Sequence, residues 1–573
     1  MNEPLTILTE RVDDIPLLLA QMERMGIARL LDEHFPTHGN RAGLSLGEVT
    51  TIWLTHVLSE ADHRMNRVQP WAERRLETLR GCSDVTLQVR DLADDRLADV
   101  LRHLSDDERW RAFEQELTGH LVRVYDLKPS CVRLDSTTAS SYGAVSEDGL
   151  LQLGHSKDHR PDLPQLKVML ATLDPLGMPL ATEVLSGERA DDPLYLPAIA
   201  RVRASLNTPG LLYVGDCKMA ALGTRASIQA AGDYYLCPLS ALQVSAEQLA
   251  RELAVLRASG QARSLVERTG ADGQTHCIAQ GYEESETITA QLEGVSYTWT
   301  ERRVLVRSEA AAQAAETALR ARLGQAQTAV AELAVRRQGK PVLSDRAAVE
   351  QAVAETVAHL RVEGLLRVTV SEQLTEQQVR AYRDRPATVR IQRQFTISSQ
   401  VEPEALASAI EHLGWRVYAT NQMADGLSLP QAVEAYRDEY LVERNFGRLK
   451  GHPLSLSPMY VERDDHATGL VRLLSIALRV LTLLEFVVRR QLAQEGAALA
   501  GLYAGNPKRA TTHPTTERLL EAFQEITLTL VIEPHQTRRH VTALSPLQQR
   551  VLALLEFTPT MYTKLCGDSS EPP

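Results

Sequence analysis

Two aspartates lie where a charged side chain is costly. Asp135 lies in the predicted strand VRLDSTT, and Asp216 ends the apolar strand LLYVGD. A carboxylate at the end of a buried strand is short and rigidly placed, which suits an oxygen ligand of a hard cation such as Mg²⁺. An isolated aspartate at a strand end more often caps a turn or the next helix. The two residues alone therefore leave both interpretations open.

A third acid lies on a helix predicted from Leu429 to Lys450. One stripe of this helix is apolar, and a second stripe, roughly 80–100° round the helix, carries Tyr436, Glu439, Glu443 and Lys450. Such a stripe borders the buried face and can reach a site at the edge of a sheet. An ordinary solvated helix face has the same periodicity, so the spacing alone favours no function.

The elements that would hold the two aspartates alternate between strands and helices. Strands are predicted from Val132 and over 166–173, 179–185, 211–214 and 234–238, with helices near 192–205 and 218–231. This order predicts an α/β fold with a mixed, partly parallel sheet.

The length of 573 residues predicts three or four domains. Residues 1–125 have mainly helical periodicity, and residues 239–414 form a separate region between two parts of the α/β layer, 126–238 and 415–500. Residues 501–573 are predicted to be a helical region with a disordered tail.

Several short motifs together resemble one protein family. LDSTTAS around Asp135, YVGDC around Asp216 and the spacing Tyr436-x2-Glu439-x3-Glu443-x6-Lys450 resemble bacterial insertion-sequence DDE transposases with a Y-x2-R-x3-E-x6-K signature. The block GHSKDHRPDLPQLKVML from Gly154 and the N-terminal stretch DDRLADVLRHLSDDERW resemble further parts of that family. Glu439 stands where the family has arginine.

The resemblance implies a ribonuclease-H-like catalytic core, interrupted by a large insertion domain and preceded by a helical N-terminal domain. Asp135, Asp216 and Glu443 would be the catalytic residues and would hold two Mg²⁺ ions, or Mn²⁺ in their place. Water would attack first, to cleave the transposon end, and the freed 3′-hydroxyl would then attack target DNA. The implied partners are double-stranded DNA, as terminal inverted repeats and target, and a second copy of the chain in a synaptic complex.

The candidate DNA contacts flank the catalytic residues, lie in the loop that follows the first strand, or belong to the insertion. They are Tyr436, Lys450, Arg444, Arg448, Lys157, Arg160 and Trp299. Lys157 and Arg160 would form a basic loop at the mouth of the site, although a surface ion pair explains them equally well. Trp299 is a candidate for stacking on a flipped base, but a tryptophan in an alternating strand is more often a core residue.

Charge and motif content exclude several classes. The net charge of −12 argues against a strongly basic DNA-coating protein, yet fourteen Lys or Arg face nine Asp or Glu between Arg444 and Arg550. No Walker A, GxGxxG or HExxH motif is present. The six cysteines show no CxxC spacing, so we expect free thiols in a reducing cytoplasm. The apolar run 468–488 contains three charges, so we expect no membrane span. The expected location is the bacterial cytoplasm, at the nucleoid when the protein is bound to DNA.

Two alternatives remain open at this stage. One is a ribonuclease-H-like, structure-selective endonuclease that cuts DNA without strand transfer. The other is a DNA-binding protein derived from an inactive transposase, with Glu439 as a sign of decay. Inverted repeats bracketing the reading frame would favour the transposase over both.

Overall fold

The computed structural model describes residues 6–37, 43–83, 86–145, 148–270, 273–335, 345–379, 388–533 and 536–567. The chain forms two compact units. Unit 1 comprises Met1–Cys237, Thr289–Trp299 and Ala435–Pro573, and unit 2 comprises Pro238–Ile288 and Thr300–Glu434. Unit 2 extends past the predicted end of the insertion at residue 414, because the strand that begins at Trp415 pairs with residues 302–307 of the same unit.

The N-terminal part of unit 1 is mainly helical but begins with a strand. It contains β1 (Thr6–Arg11), α1 (Ile15–Arg24), α2 (Ile27–His34), α3 (Leu46–Glu60), α4 (Met65–Glu73), α5 (Leu76–Cys82), α6 (Asp94–Leu104) and α7 (Asp107–Val124). Gly26 separates α1 from α2 with a φ of 67°, a left-handed conformation that favours glycine. The apolar stripe of α7, which includes Trp110 and Phe113, is fully buried.

A mixed sheet follows in unit 1. Its elements are β2 (Cys131–Ser140), β3 (Gln165–Leu173), β4 (Met178–Ser186), α8 (Tyr195–Leu206), β5 (Leu212–Gly215), α9 (Leu222–Ala230) and β6 (Tyr234–Pro238). The strand order is β4-β3-β2-β5-β6. β3 is antiparallel to both β2 and β4, whereas β5 is parallel to both β2 and β6. The predicted order of strands and helices is observed, because the strands are short segments rich in β-branched or apolar residues and are bounded by turn residues.

Unit 2 combines a second set of strands with helices. It contains α10 (Ala246–Ala258), β7 (Ser264–Thr269), β8 (Thr275–Leu292), β9 (Val295–Ser308), α11 (Glu309–Glu332), α12 (Arg346–His359), β10 (Leu366–Val379), β11 (Thr388–Val401), α13 (Pro403–Glu411) and β12 (Trp415–Thr420). Residues 289–299, at the tip of the β8–β9 hairpin, belong to unit 1. Four strands follow the order β12-β9-β8-β7, and β10 and β11 form a separate antiparallel ribbon. Phe395 and Ile397 of this ribbon pack against Val330 of α11 and Val349 of α12.

The remaining elements are α14 (Leu429–Arg437), α15 (Tyr440–Lys450), α16 (Asp464–Glu495), β13 (Leu499–Ala500), β14 (Ala510–Thr511), α17 (Thr516–Glu521), β15 (Thr527–Glu533), β16 (Gln536–Val541), α18 (Pro546–Leu554) and α19 (Thr560–Thr563). The predicted helix 429–450 is therefore two helices, α14 and α15.

The region 501–567 is not purely helical, because β15 pairs with both β1 and β16. The predicted disordered tail, 568–573, lies outside the described residues. Most of α16 is buried, and no helix in the described ranges has the length and apolar character needed to cross a membrane.

Candidate functional site

The two sequence-predicted aspartates lie at adjacent interior strands of the unit 1 sheet. β2 and β5 are parallel, and Leu134 lies opposite Gly215. The next residue after each of these is an aspartate, so Asp135 and Asp216 occupy neighbouring positions about one strand spacing, ~4.8 Å, apart across the sheet. Both line a small cleft together with Tyr436 and Glu439.

Each aspartate is fixed by hydrogen bonds. Asp135 Oδ1 accepts from its neighbour, the Ser136 backbone N–H, at 2.7 Å. Asp216 Oδ1 accepts from the Tyr195 hydroxyl at 2.6 Å and from the Lys218 backbone N–H at 2.8 Å. Tyr195, which begins α8, was not a sequence-based candidate, because a tyrosine at a helix start carries no distinguishing signal.

The acids in the cleft influence one another. Burial raises the pKa of Asp135, Lys157 opposes this rise, and the charge of Asp216 adds to it. Burial also raises the pKa of Glu439, and the negative charges of Asp135, Glu443 and Asp216 raise it further. Four carboxylates therefore share one electrostatic environment in which a positive charge would be stabilised.

The break between α14 and α15 decides how the two glutamates are presented. Glu439 lies in the break, is half-buried and lines the cleft with the two aspartates. Glu443 lies one turn further along α15 and is exposed. Sequence periodicity placed both on one continuous stripe and missed this difference.

The donor chemistry of the cleft fits a hard divalent cation, because carboxylate oxygens are the ligands that Mg²⁺ prefers. Among the residues that the structure describes, no three His, Cys, Asp or Glu side chains are grouped closely enough to hold a metal ion as they stand. The Lys157 ammonium lies 3.4 Å from Asp135 Oδ1 and supplies positive charge there. A shared ion would therefore require rotation of these side chains.

The loop after β2 and the end of α15 both reach β2 beside the aspartates. Lys157 Nζ donates to the Ser136 carbonyl at 2.5 Å, and Lys450 Nζ donates to Thr137 Oγ1 at 2.9 Å. Lys450 also forms a 2.6 Å ion pair with Asp158. The structure thus brings the predicted residues Lys157 and Lys450 to the site. It also places Asp158 there as the ion-pair partner of Lys450, a pairing that the sequence does not indicate.

Two other predicted DNA contacts are placed differently. Tyr436 lines the cleft but is only 8% exposed. Arg160 is exposed and forms a 2.8 Å ion pair with Asp162, which is the surface pair that the sequence analysis considered as an alternative.

Arg444 and Arg448 bind carboxylates of the protein. Arg448 is buried and pairs with Glu485 at 2.6 Å and with Glu517 at 2.7 Å. Arg444 makes two hydrogen bonds to the same Glu485. The buried face of α15 carries Arg448, and internal carboxylates bind both guanidinium groups, so a phosphate contact by either arginine would require exchange of these partners.

Trp299 is a core residue. Its side chain is 6% exposed, and its indole Nε1 donates to the Tyr235 hydroxyl at 2.9 Å. The base-stacking interpretation is therefore corrected in favour of the alternative, since the ring is buried and its one donor is satisfied.

A second buried ion pair supports the site from the neighbouring strand. Lys167 of β3 pairs with Asp191 at 2.6 Å, and Ser136 Oγ donates to the same carboxylate at 3.1 Å. Burial opposes ionisation of Asp191, but Lys167 holds its pKa below the usual range. A lysine within the apolar run QLKVML is the sequence signal that could have revealed this pair.

Comparisons with known proteins give little. No family model matches the sequence, and no curated protein matches it significantly. Among solved structures, the chain is similar to the cryo-EM structure of a piggyBac transposase synaptic complex with hairpin DNA, at 9% identity and a TM-score of 0.33, over 96% of this chain and 83% of that one. A TM-score this low does not establish a common fold.

Proposed function

We propose that the protein is a DNA transposase of an insertion sequence, which cleaves transposon ends and joins them to target DNA by metal-dependent phosphoryl transfer. The observation that carries the proposal is the placement of Asp135 and Asp216 at adjacent positions of two parallel strands, in one cleft with Glu439, which lies one helical turn before Glu443. The motif resemblance supports it independently.

The strand order supports a ribonuclease-H-like core. Three antiparallel strands, β4, β3 and β2, are followed by two strands parallel to β2. The first proposed acid, Asp135, lies on the central strand β2, and the second, Asp216, directly follows the neighbouring strand β5. The third, Glu443, lies on the later helix α15. Unit 2 would be the insertion that separates the second acid from the third.

Asp135, Asp216 and Glu443 are the proposed ligands of two Mg²⁺ ions, with Mn²⁺ as a substitute. When bound, such ions lower the pKa of an attacking water or hydroxyl and neutralise charge on the leaving oxygen. The Tyr195 hydroxyl and the Lys218 backbone N–H orient Asp216. Lys157 balances the charge of Asp135 when the cleft holds no other cation.

The remaining residues of the cleft would adjust charge at the phosphate. Lys450 is the proposed phosphate contact, and it must exchange the carboxylate of Asp158 for the DNA backbone. Because the pKa of Glu439 is raised, this carboxyl group keeps a proton more readily than an ordinary glutamate and repels phosphate less.

The proposed partners are the terminal inverted repeats, target DNA and a second copy of the chain in a synaptic complex. The proposed location is the bacterial cytoplasm, at the nucleoid when the protein is bound to DNA.

The test supplies the DNA that flanks the reading frame, together with Mg²⁺ and a target plasmid. Cleavage at inverted repeats and joining of pre-cut ends to the plasmid would support the transposase. Cleavage of branched DNA without joining would instead support the endonuclease, and binding without cleavage would support the inactive DNA-binding protein.

A further inference from the structure

Two tyrosines are stacked on the surface of unit 1, at the end of the strand that carries Asp135. The rings of Tyr142 and Tyr460 are 5.3 Å apart between centroids and inclined by 27°. Their side chains are 52% and 71% exposed. Large aromatic side chains are usually buried or bound to a partner, so a stacked and exposed pair is a feature to be explained.

Backbone hydrogen bonds hold the two rings in place. The Met459 N–H donates to the Ser140 carbonyl at 3.0 Å, and the Tyr142 N–H donates to the Met459 carbonyl at 2.9 Å. Ser141 Oγ also donates to that carbonyl. The segment that carries Tyr460 is therefore attached to the continuation of β2, and the pair is preorganised before any ligand arrives.

The tyrosines continue a row of basic side chains along β2. The Lys157 ammonium binds Ser136, the Lys450 ammonium binds Thr137, and Arg160 interacts with the side chain of Tyr142. Tyr142 lies five residues beyond Thr137, which is roughly 16 Å along an extended strand. At ~3.4 Å per stacked nucleotide, a DNA strand with a phosphate at Lys450 would reach the tyrosines after about four or five nucleotides.

The chemistry of this row favours nucleic acid. Cationic side chains combined with aromatic rings are the recurring combination in proteins that bind single strands, because every base has a face that can stack. Lys450 pairs with Asp158, and Arg160 pairs with Asp162; a DNA phosphate can take the place of either carboxylate. An unpaired base can stack on the outer face of either ring, whereas a base within a duplex is already stacked on its neighbours.

We propose that Tyr142 and Tyr460 form a stacking platform for an unpaired nucleobase of the DNA strand bound at the candidate site. The platform defines a substrate feature, an unpaired stretch a few nucleotides from the reacting phosphate. This inference rests on the proposed function, because it takes the strand bound at Lys450 to be DNA.

The test measures binding in EDTA, so that catalysis plays no part. The probes are a short fluorescein-labelled oligothymidylate and a duplex of mixed sequence, followed by fluorescence anisotropy. The double variant Tyr142→Ala/Tyr460→Ala should weaken single-strand binding about tenfold to a hundredfold and leave duplex binding unchanged. The variant Tyr142→Phe/Tyr460→Phe should retain wild-type affinity, because phenylalanine stacks as tyrosine does.

Leu242→Ala provides a matched control, since Leu242 is 99% exposed and belongs to unit 2. Equal single-strand affinity in wild type and the double alanine variant would overturn the platform, as would a wild type that does not bind the oligothymidylate. An equal loss of single-strand and duplex binding would also overturn it. Capture of a protein that depends on both tyrosines, without an effect on DNA, would reassign the surface to a protein partner.

Failure of the proposed function has a different signature. In that case the wild type would fail to cleave its flanking DNA with Mg²⁺, whatever its affinity for the oligothymidylate. A wild type that cleaves and joins DNA, with no effect of the tyrosines on single-strand binding, would reject the platform alone.

Discussion

At the scale of single residues, the charge balance of the candidate site depends on four carboxylates and two lysines. Burial raises the pKa of both Asp135 and Glu439; the charge of Asp216 raises the pKa of Asp135 further, and the charges of Asp135, Glu443 and Asp216 raise that of Glu439. Lys157 and Lys450 approach the same strand from two sides. These contacts predict different effects of substitution at Glu439 and at Glu443, although both lie on the same stripe in the sequence.

Substitution by glutamine should affect the rate of DNA cleavage differently at Glu439 and at Glu443. Glu443→Gln should lower the cleavage rate about 10²–10³-fold, because it removes a proposed ligand. Glu439→Gln should retain most activity and move the acid limb of the pH–rate profile to lower pH, because loss of a negative charge lowers the pKa of Asp135. Rates over a range of pH with Mg²⁺ would check both expectations. A greater loss in Glu439→Gln than in Glu443→Gln would make Glu439 the third ligand.

Asp158 should restrain the DNA contact of Lys450. Asp158→Asn should tighten binding to duplex DNA and steepen the dependence of log affinity on log salt by about one, because it releases one cationic side chain. Anisotropy titrations at several salt concentrations would measure this. Asp126→Asn is the control: it removes the same single negative charge, but from the exposed ion pair with Lys128 near the opposite end of β2. An equal effect of both substitutions would indicate a non-specific charge effect.

At the scale of elements, buried ion pairs fix α15 against α16 and α17. Glu485 of α16 pairs with Arg444, Arg448 and Arg489, and Arg448 also pairs with Glu517 of α17. Burial disfavours ionised Glu485, but the arginines outweigh burial and hold its pKa below the usual range. The network therefore positions the helix that carries Glu443.

Glu485→Gln should destabilise the protein by about 3 kcal/mol, because it leaves buried guanidinium groups without a full counter-charge. Because the folded-state pKa of Glu485 is depressed, its contribution is present above the unfolded value of about 4.3 and is lost as pH falls through the folded value. Denaturant unfolding at neutral and acidic pH would show a difference between wild type and variant that shrinks in acid.

Glu495→Gln is the matched control on α16, since Glu495 pairs with Arg550 and both side chains are about 40% exposed. This substitution should cost less than about 1 kcal/mol. Equal losses in the two variants would contradict a special role for the buried network.

The elements that hold Asp135 and Asp216 could be predicted, whereas the helix break could not. Each strand from β2 to β6 is a local segment rich in β-branched or apolar residues and bounded by turn residues, so its signal lies in adjacent residues. The break at Asp438 and Glu439 has no proline or glycine to mark it. The pairing of β1 with β15 joins residues more than 500 positions apart, and no local pattern reveals such a contact. Likewise, the spacing of Arg448 is compatible with a DNA contact, and only the fold places Glu485 and Glu517 beside it.

At the scale of the whole molecule, the net charge of −12 remains the main constraint on DNA binding. The segment from Arg444 to Arg550, in which Lys and Arg outnumber Asp and Glu, offers DNA fewer cationic side chains than its composition indicates. Arg444, Arg448 and Arg489 of this segment bind Glu485. We therefore expect weak binding to random duplex at physiological salt, with a steep loss of affinity as salt rises. Nanomolar binding to random duplex at physiological salt would contradict this expectation.

The most direct test of the central claim compares wild type with Asp216→Asn on DNA that contains the ends of the element. Binding is measured in EDTA, and cleavage is then started with Mg²⁺; Asp126→Asn serves as a surface control. We predict that all three proteins bind alike and that only Asp216→Asn fails to cleave, because the side chain of Asp216 lies beside Asp135 and is a proposed metal ligand. Cleavage by Asp216→Asn at the wild-type rate would contradict the proposed function.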